Sequence, residues 1–409
     1  MADWDKPAFD YVRSLSADWI WYTGIPRHAS GKPFVKGDPG SPYAISDWFD
    51  VNPYLAEDPG RRMDEFRALV RRTHEAGLKL MIDFIPNHVA RDYDGEIAFH
   101  DWCDGDWTDT FKNDWSDPRT VPACVEILRF WASLGVDGFR CDMVELVPAW
   151  SLRAVIAGVR SAFPGTFFVA EVYGRENYRK YISEVGFDLL YDKSGAYDIL
   201  RRVICCGGDA HDLTCNWQRL QDMQGSMLNF LENHDEQRLA SPFFAGAASK
   251  GYAALAFSAL FNDASFMLYF GQEAGECAAE GHEGRTSIFE WSRPEIAGAL
   301  SGFASTGRGL PAVARTVLAR YRRLLALAAR PVFRSGSNWD LCYCQGGSFD
   351  PARNFAFLRY DSREAWVVFC NFSGERVELD LDVPSDPLGE PSRINVGADP
   401  WDYFVKRIR

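Results

Sequence analysis

The stretch GFRCDMVEL, Gly138–Leu146, is a short apolar run that ends in a carboxylate, Asp142. Such runs are typical of parallel strands that are covered on both faces. Six similar runs occur along the chain, separated by helix-like segments. They are Trp19–Ile25, Leu78–Ile85, Thr166–Val172, Phe187–Asp192, the run MLNFLENHD ending at Asp235, and the run ASFMLYFGQE ending at Glu273. Alternating strands and helices predict an α/β fold, a parallel barrel of the TIM type.

The predicted barrel is irregular at its start. We count seven strands, whereas a TIM-type barrel has eight. The chain opens on a helix-like segment, Ala8–Leu15, and the residues before it, MADWDKP, are too few and too polar for a strand. The sequence therefore predicts a (β/α) barrel that lacks the first strand.

A second pattern begins after a predicted long helix, Leu310–Ala329. The segments CYCQGG, FAFLRY, AWVVFCNFSG and RVELDLDVP read as short strands broken by turn residues. We therefore assign residues 1–334 to the barrel, with a short insertion at about 89–117, and residues 335–409 to a small antiparallel β-sandwich domain.

Composition narrows the class of partner. The 409 residues carry a formal net charge of −13, which argues against nucleic acid and anionic membranes because both attract basic surfaces. The first residues, MADWDKPAFD, lack a basic start followed by an apolar run, so we expect no signal peptide and a cytoplasmic location. The ten cysteines are scattered without the paired spacing of a zinc site. We expect no cofactor and no metal.

Carboxylates follow several of the predicted strands, at the face of a barrel where active sites form. Arg140 and Asp142 share a strand face, and a guanidinium beside a carboxylate keeps the carboxylate ionised, as a nucleophile requires. Glu171 ends an apolar strand, where partial desolvation suits a general acid. Asp235 is flanked by His234. Each feature alone has an ordinary structural explanation, such as an ion pair or a helix cap. Their joint occurrence at the ends of successive strands favours an active site.

Four motifs in order resemble those of the α-amylase family of glycoside hydrolases. They are DFIPNH at Asp83–His88, GFRCDMVEL at Gly138–Leu146, FVAEVYG at Phe168–Gly174 and LENHDEQR at Leu231–Arg238. The resemblance implies a retaining enzyme with Asp142 as nucleophile and Glu171 as general acid/base. It implies that Asp235 stabilises the transition state. It further implies substrate contacts at Tyr43, His88, Arg140, His234 and Arg238, with Asp83 in a structural role.

The substrate implied by the resemblance is an α-glucan or a related oligosaccharide, cleaved through a covalent glycosyl-enzyme. A transglycosylase or a sucrose- or trehalose-handling enzyme of the same family stays open, as do a non-catalytic carbohydrate-binding relative and a shortened version of a fuller enzyme. Calcium-dependent amylases use a His four residues after the nucleophile, where this chain has Leu146. We therefore predict no calcium site of that kind.

Overall fold

The computed structural model describes residues 1–37, 39–285 and 294–409. The chain divides into two compact units, the first formed mainly by residues 1–191 and the second mainly by residues 192–409. Within these described residues, no helix combines the length and the apolar character needed to cross a bilayer.

The first unit contains nine strands and five α-helices in its described residues. The strands are β1 (Trp19–Tyr22), β2 (Pro26–His28), β3 (Ile45–Val51), β4 (Lys79–Phe84), β5 (His88–Ala90), β6 (Thr110–Lys112), β7 (Gly138–Cys141), β8 (Phe167–Ala170) and β9 (Leu189–Tyr191). The helices are α1 (Lys6–Arg13), α2 (Arg62–Glu75), α3 (Thr120–Ser133), α4 (Ala149–Ala162) and the single turn α5 (Tyr178–Lys180).

Five of these strands form a parallel sheet in the order β1-β4-β7-β8-β9. In register, Ile82 of β4 lies opposite Phe139 of β7, and Arg140 lies opposite Val169 of β8. Gly138 permits close approach, because a Cβ there would lie 2.8 Å from the carbonyl oxygen of Phe167. All four residues of β7 are buried, as the continuous apolar runs predict for a sheet covered on both faces.

Helix α1 precedes β1, and residues 1–18 contain no strand. The side chain of Asp5 caps the helix by accepting the N–H of Ala8 at 3.0 Å, and Pro7 lies in the first turn. Asp and Pro favour a helix start at these positions. The helix therefore begins two residues earlier than the apolar pattern alone predicts.

Residues 192–409 contain eight strands and seven α-helices in their described part. The strands are β10 (Met227–Phe230), β11 (Ser265–Met267), β12 (Ser337–Asp340), β13 (Asn354–Tyr360), β14 (Ala365–Asn371), β15 (Val377–Val383), β16 (Ser392–Ala398) and β17 (Tyr403–Arg407). The helices are α6 (Asp198–Cys205), α7 (His211–Leu220), α8 (Tyr252–Leu260), α9 (Glu295–Thr306), α10 (Ala312–Ala328), α11 (Pro331–Ser335) and α12 (Ser385–Leu388).

Strands β10 and β11 are parallel neighbours, so each of the seven predicted barrel strands is present and confirmed. The last six strands form two antiparallel sheets, β12-β13-β14-β17 and β15-β16. Side chains of both sheets, including Leu358, Phe369, Leu381 and Val396, pack into one buried cluster. The predicted antiparallel C-terminal sheet is therefore confirmed.

One predicted strand in this region is wrong. The segment CYCQGG contains a 3₁₀ turn, Cys342–Cys344, rather than a strand. The Asp340 carboxylate accepts the N–H of Cys342 at 2.7 Å, a local hydrogen bond that competes with strand pairing. The strand lies just before the turn, at Ser337–Asp340, and strands β16 and β17 are additions to the predicted set.

Candidate active site

Arg140 is the centre of a buried charge cluster in the first unit. Its Nη1 donates to Oδ1 of Asp142 at 2.6 Å, and its Nη2 lies 3.0 Å from Oε2 of Glu171. A third carboxylate, Asp83, lies 3.6 Å from Nη1. Arg140 is fully buried, while Asp142 is 8% exposed and Glu171 is 3% exposed. One guanidinium therefore holds the candidate nucleophile and the candidate acid/base on adjacent strands.

Aromatic rings surround the same guanidinium. Its centre lies 5.2 Å from the ring of Trp21, 5.9 Å from Tyr43 and 5.5 Å from Tyr191, within the range of cation–π attraction. Nε also donates to the hydroxyl of Tyr191 at 3.2 Å. Burial lowers the pKa of Arg140, but the charge of Glu171 and the neighbouring tyrosines outweigh burial and raise the pKa well above its ordinary value. Arg140 is thus a permanent cation.

Two further donors converge on Glu171. The backbone N–H of Met143 donates to Oε2 at 2.9 Å, and the hydroxyl of Tyr173 donates to Oε1 at 2.8 Å. Met143 has a positive φ of 44°, a conformation that is uncommon outside glycine and concentrated at functional sites. These contacts favour the ionised carboxylate whereas burial favours the protonated form. The expected desolvation of Glu171 is therefore only one of the influences on it.

A neighbouring carboxylate, Glu145, braces the loop that follows Glu171. It accepts the backbone N–H of Tyr173 at 2.7 Å, both of its oxygens lie 3.2 Å from the N–H of Gly174, and Asn177 Nδ2 donates to it at 2.6 Å. The residue whose hydroxyl donates to Glu171 is therefore held at its backbone by a residue of the motif that carries Asp142.

Tyr43 and Asp83 join the cluster from two other segments. Asp83 accepts the indole N–H of Trp21 at 3.0 Å and the hydroxyl of Tyr43 at 3.3 Å. These contacts support the structural role expected of Asp83. His88 is 5% exposed, and burial lowers its pKa to about 4, partly opposed by a hydrogen bond with the backbone of Tyr43. His88 is therefore neutral near pH 7 and can offer one donor and one acceptor.

Asp235 lies on the second unit, in the loop after β10. Its side chain is 42% exposed, and Nε2 of His234 lies 3.2 Å from its Oδ2. The side chain of Asn233 accepts the backbone N–H groups of both Asp235 and Glu236 at 2.9 Å. This turn presents one accessible carboxylate beside two buried polar residues, His234 and Asn233.

Arg238 closes the same loop and is only 3% exposed. Its Nη1 donates to Glu232 at 3.0 Å and to the carbonyl oxygen of Phe270 at 2.9 Å, and its guanidinium centre lies 4.0 Å from the ring of Tyr269. Glu232 also accepts the N–H of Leu239 at 2.9 Å. These contacts support a structural role for Arg238, and substrate contact at this residue stays a prediction.

Within the first unit, the structure links five predicted site residues: Tyr43, His88, Arg140, Asp142 and Glu171. The other three, His234, Asp235 and Arg238, lie together on the second unit. Sequence reasoning missed Tyr173, although it lies two residues after Glu171. The same alternation that pairs Arg140 with Asp142 could have identified it.

Comparisons with known proteins concern the fold and the family resemblance. Residues 7–112 match the family model described as alpha amylase, catalytic domain. The solved structure of a cyclic α-maltosyl-(1→6)-maltose hydrolase from Arthrobacter globiformis is similar with a TM-score of 0.74 and 18% identity, covering 97% of this chain and 87% of that chain. The resemblance to the α-amylase family is confirmed. Because the similar solved structures are barrels of that family, the fold class is confirmed as well.

The curated proteins with similar sequences include two enzymes of different type and a transporter subunit. The chain is 32% identical to an α-1,4-glucan:maltose-1-phosphate maltosyltransferase of Bifidobacterium longum over 37% of this chain and 22% of the relative. It is 27% identical to the α-amylase MalA of Haloarcula japonica over 74% of this chain and 45% of the relative. It is 26% identical to the human amino acid transporter heavy chain SLC3A1 over 47% of this chain and 31% of the relative. The matches thus span less than half the length of each relative.

Proposed function

We propose that the protein is a retaining glycoside hydrolase that cleaves α-glucosidic bonds of starch- or maltodextrin-type glucans. The observation that carries this proposal is that Asp142 and Glu171, which directly follow the neighbouring strands β7 and β8, both contact the guanidinium of Arg140. Adjacent strands lie about 4.8 Å apart, and retaining glycosidases need their two carboxyl groups about 5–5.5 Å apart. The α-amylase resemblance supplies the substrate class.

In the proposed first step, the Asp142 carboxylate attacks the anomeric carbon while protonated Glu171 gives its proton to the leaving glycosidic oxygen. The bond from the anomeric carbon to that oxygen breaks as the bond to Asp142 forms. Arg140 keeps Asp142 ionised and therefore nucleophilic. In the second step, Glu171 takes a proton from water, which attacks the same carbon and releases Asp142.

Asp235 is proposed to stabilise the positive charge that develops on the sugar in the transition state of each step. Its carboxylate is accessible to solvent, unlike the buried Asp142 and Glu171. Neutral His88 would hydrogen-bond hydroxyl groups of the sugar, as would His234, and the ring of Tyr43 would contact the apolar face of the sugar.

A second candidate activity, transfer of the glycosyl group to a sugar acceptor, is favoured by the similarity to a maltosyltransferase. Both activities share the first step and differ only in whether water or a sugar hydroxyl attacks the glycosyl-enzyme. The similarity to a transporter heavy chain favours a third candidate, a non-catalytic relative.

Incubation with maltooligosaccharides, sucrose and trehalose separates the candidates. A hydrolase releases new reducing ends from maltooligosaccharides. A transferase forms longer or mixed oligosaccharides, and the total number of glycosidic bonds stays constant. The Asp142→Asn variant should bind maltooligosaccharide but fail to cleave it. Binding by the wild-type protein without turnover of any α-glucoside would overturn the enzymatic proposal and favour the non-catalytic one.

A further inference from the structure

The ammonium group of Lys112 has a hydrogen-bond acceptor for each of its three N–H groups and lies beside the candidate site. Lys112 ends strand β6 and lies opposite His88 in the antiparallel register of β5 and β6. Its Nζ donates to Oδ2 of Asp104 at 2.8 Å, to the carbonyl oxygen of Leu146 at 3.3 Å, and to Oδ1 of Asn87. An ammonium has three N–H groups, so each has a protein acceptor. The side chain is only 13% exposed.

The three acceptors come from three different segments. Asn87 immediately precedes His88, and Asp104 belongs to the loop between β5 and β6. Leu146 ends the 3₁₀ turn Val144–Leu146, which follows Asp142 and Met143. The ammonium thus connects the candidate substrate-binding histidine, the insertion loop and the turn after the candidate nucleophile.

The contacts form a closed polar network. Asn87 Nδ2 also donates to Asp104 at 2.8 Å. Burial raises the pKa of Asp104, but hydrogen bonds from Lys112 and Asn87 and the charge of Lys112 give a net lowering. Asp104 is therefore a stable anion, and removing Lys112 would leave three oxygen atoms facing one another without a cation between them.

We propose that Lys112 is a positioning residue for the glycosidase site. It fixes the turn Val144–Leu146 against Asn87 and, through that turn, holds the N–H of Met143 on Glu171. Lys112 acts through these groups and does not itself contact the substrate. This inference rests on the proposed function. In the alternative, Lys112 only stabilises the loop through its ion pair with Asp104 and has no effect on catalysis.

The matched variants are Lys112→Met, which keeps an unbranched side chain one heavy atom shorter and removes the charge, and Lys112→Arg, which keeps the charge. Lys36→Met is the control, because Lys36 contacts the same loop at Asp106 and Asp109 but a different set of acceptors. We expect Lys112→Met to lower kcat about tenfold or more with KM changed less than about threefold, since small misplacements of reacting groups are costly. Lys112→Arg should recover most of kcat, and Lys36→Met should resemble wild type.

Hydrogen–deuterium exchange provides a readout that does not depend on turnover. Lys112→Met should exchange faster in peptides covering residues 101–113 and 142–150, whereas Lys36→Met should leave residues 142–150 unchanged. Unchanged exchange at 142–150 in Lys112→Met, or a wild-type kcat in that variant, would overturn the proposal. If the wild-type protein turns over no α-glucoside, the proposed function fails, while exchange at 142–150 still decides whether Lys112 holds the turn.

Discussion

The backbone N–H of Met143 donates a hydrogen bond to Oε2 of Glu171 across 2.9 Å. The residue that follows Asp142 therefore holds the carboxylate of the neighbouring strand. Because Arg140 contacts both Asp142 and Glu171, the four-residue segment Arg140–Met143 supplies one proposed catalytic carboxylate and two anchors for the other. The geometry of this pair depends on a single short stretch of chain.

Replacement of Arg140 by Met should strongly impair both folding and activity. The change leaves Asp83, Asp142 and Glu171 buried without the cation among them, and breaking a buried ion pair typically costs about 3–5 kcal/mol. Denaturant unfolding should show this loss, and kcat/KM should fall at least a hundredfold. Arg67→Met is the control, since Arg67 is half exposed in its pair with Asp64. An Arg140→Met protein as stable as wild type would contradict the assignment of Arg140 as the organising cation.

Replacement of Tyr173 by Phe should weaken catalysis without unfolding the protein. The change removes the hydroxyl that donates to Glu171 at 2.8 Å, and a hydrogen bond to a charged group contributes about 1.5–3 kcal/mol. We expect kcat/KM to fall about tenfold or more. The alkaline limb of its pH profile should move to higher pH, because the lost donor favoured the ionised form of Glu171. Tyr54→Phe, at a residue that is 59% exposed, serves as control; equal profiles for the two variants would exclude this role.

Glu232 should make the protein less stable as the pH rises, the opposite of the usual effect of a carboxyl group whose pKa is lowered by folding. Burial raises the pKa of Glu232 from 4.5 to about 7, against the opposing charge of Arg238. Between these two pH values the folded state keeps a proton that the unfolded state has released. The contribution of Glu232 to the free energy of unfolding is therefore fully present below pH 4.5 and is lost as the pH rises through about 7. We expect it to reach roughly 3 kcal/mol, and to be absent in Glu232→Gln.

Urea unfolding of the wild-type protein and Glu232→Gln at pH 5 and pH 8 measures this contribution. The exposed Glu75→Gln variant controls for the general effect of removing one carboxylate. A wild-type loss between the two pH values no larger than that of Glu232→Gln would contradict the raised pKa.

Removal of divalent cations should leave activity unchanged. The ammonium of Lys112 already contacts Asn87, Asp104 and the carbonyl of Leu146, and a positive charge among these oxygens repels a divalent ion. Activity and melting temperature should be the same after dialysis against a chelator as after calcium is restored. A loss on chelation that calcium reverses would show that our prediction of no calcium site is wrong.

Much of the fold could be predicted from the sequence, because apolar runs such as those ending at Asp142 and Glu171 mark parallel strands. The pairing of Arg140 with Asp142 also follows from strand alternation, and the structure places them 2.6 Å apart. The failure at CYCQGG has a local cause, since the Asp340 carboxylate stabilises a turn there. Alternating residue types do not reveal such a side-chain-to-backbone hydrogen bond.

Other parts of the candidate site could not be predicted. The positive φ of Met143 is imposed by its surroundings, since methionine has no preference for that conformation. The contact between Lys112 and Leu146 joins residues that are 34 positions apart, and no periodic pattern relates them. Both features arise from tertiary packing, and both involve the short segment Met143–Leu146 that follows the proposed nucleophile.

Covalent trapping identifies the residue that forms the proposed glycosyl-enzyme. A fluorinated α-glucosyl fluoride, which forms the glycosyl-enzyme but slows its hydrolysis, is incubated with the protein, and the peptides of a digest are weighed by mass spectrometry. We expect one added fluoroglucosyl group, on the peptide that contains Asp142, and no label in Asp142→Asn. Turnover of the reagent with the label on another residue, or with no labelled peptide at all, would contradict Asp142 as the nucleophile.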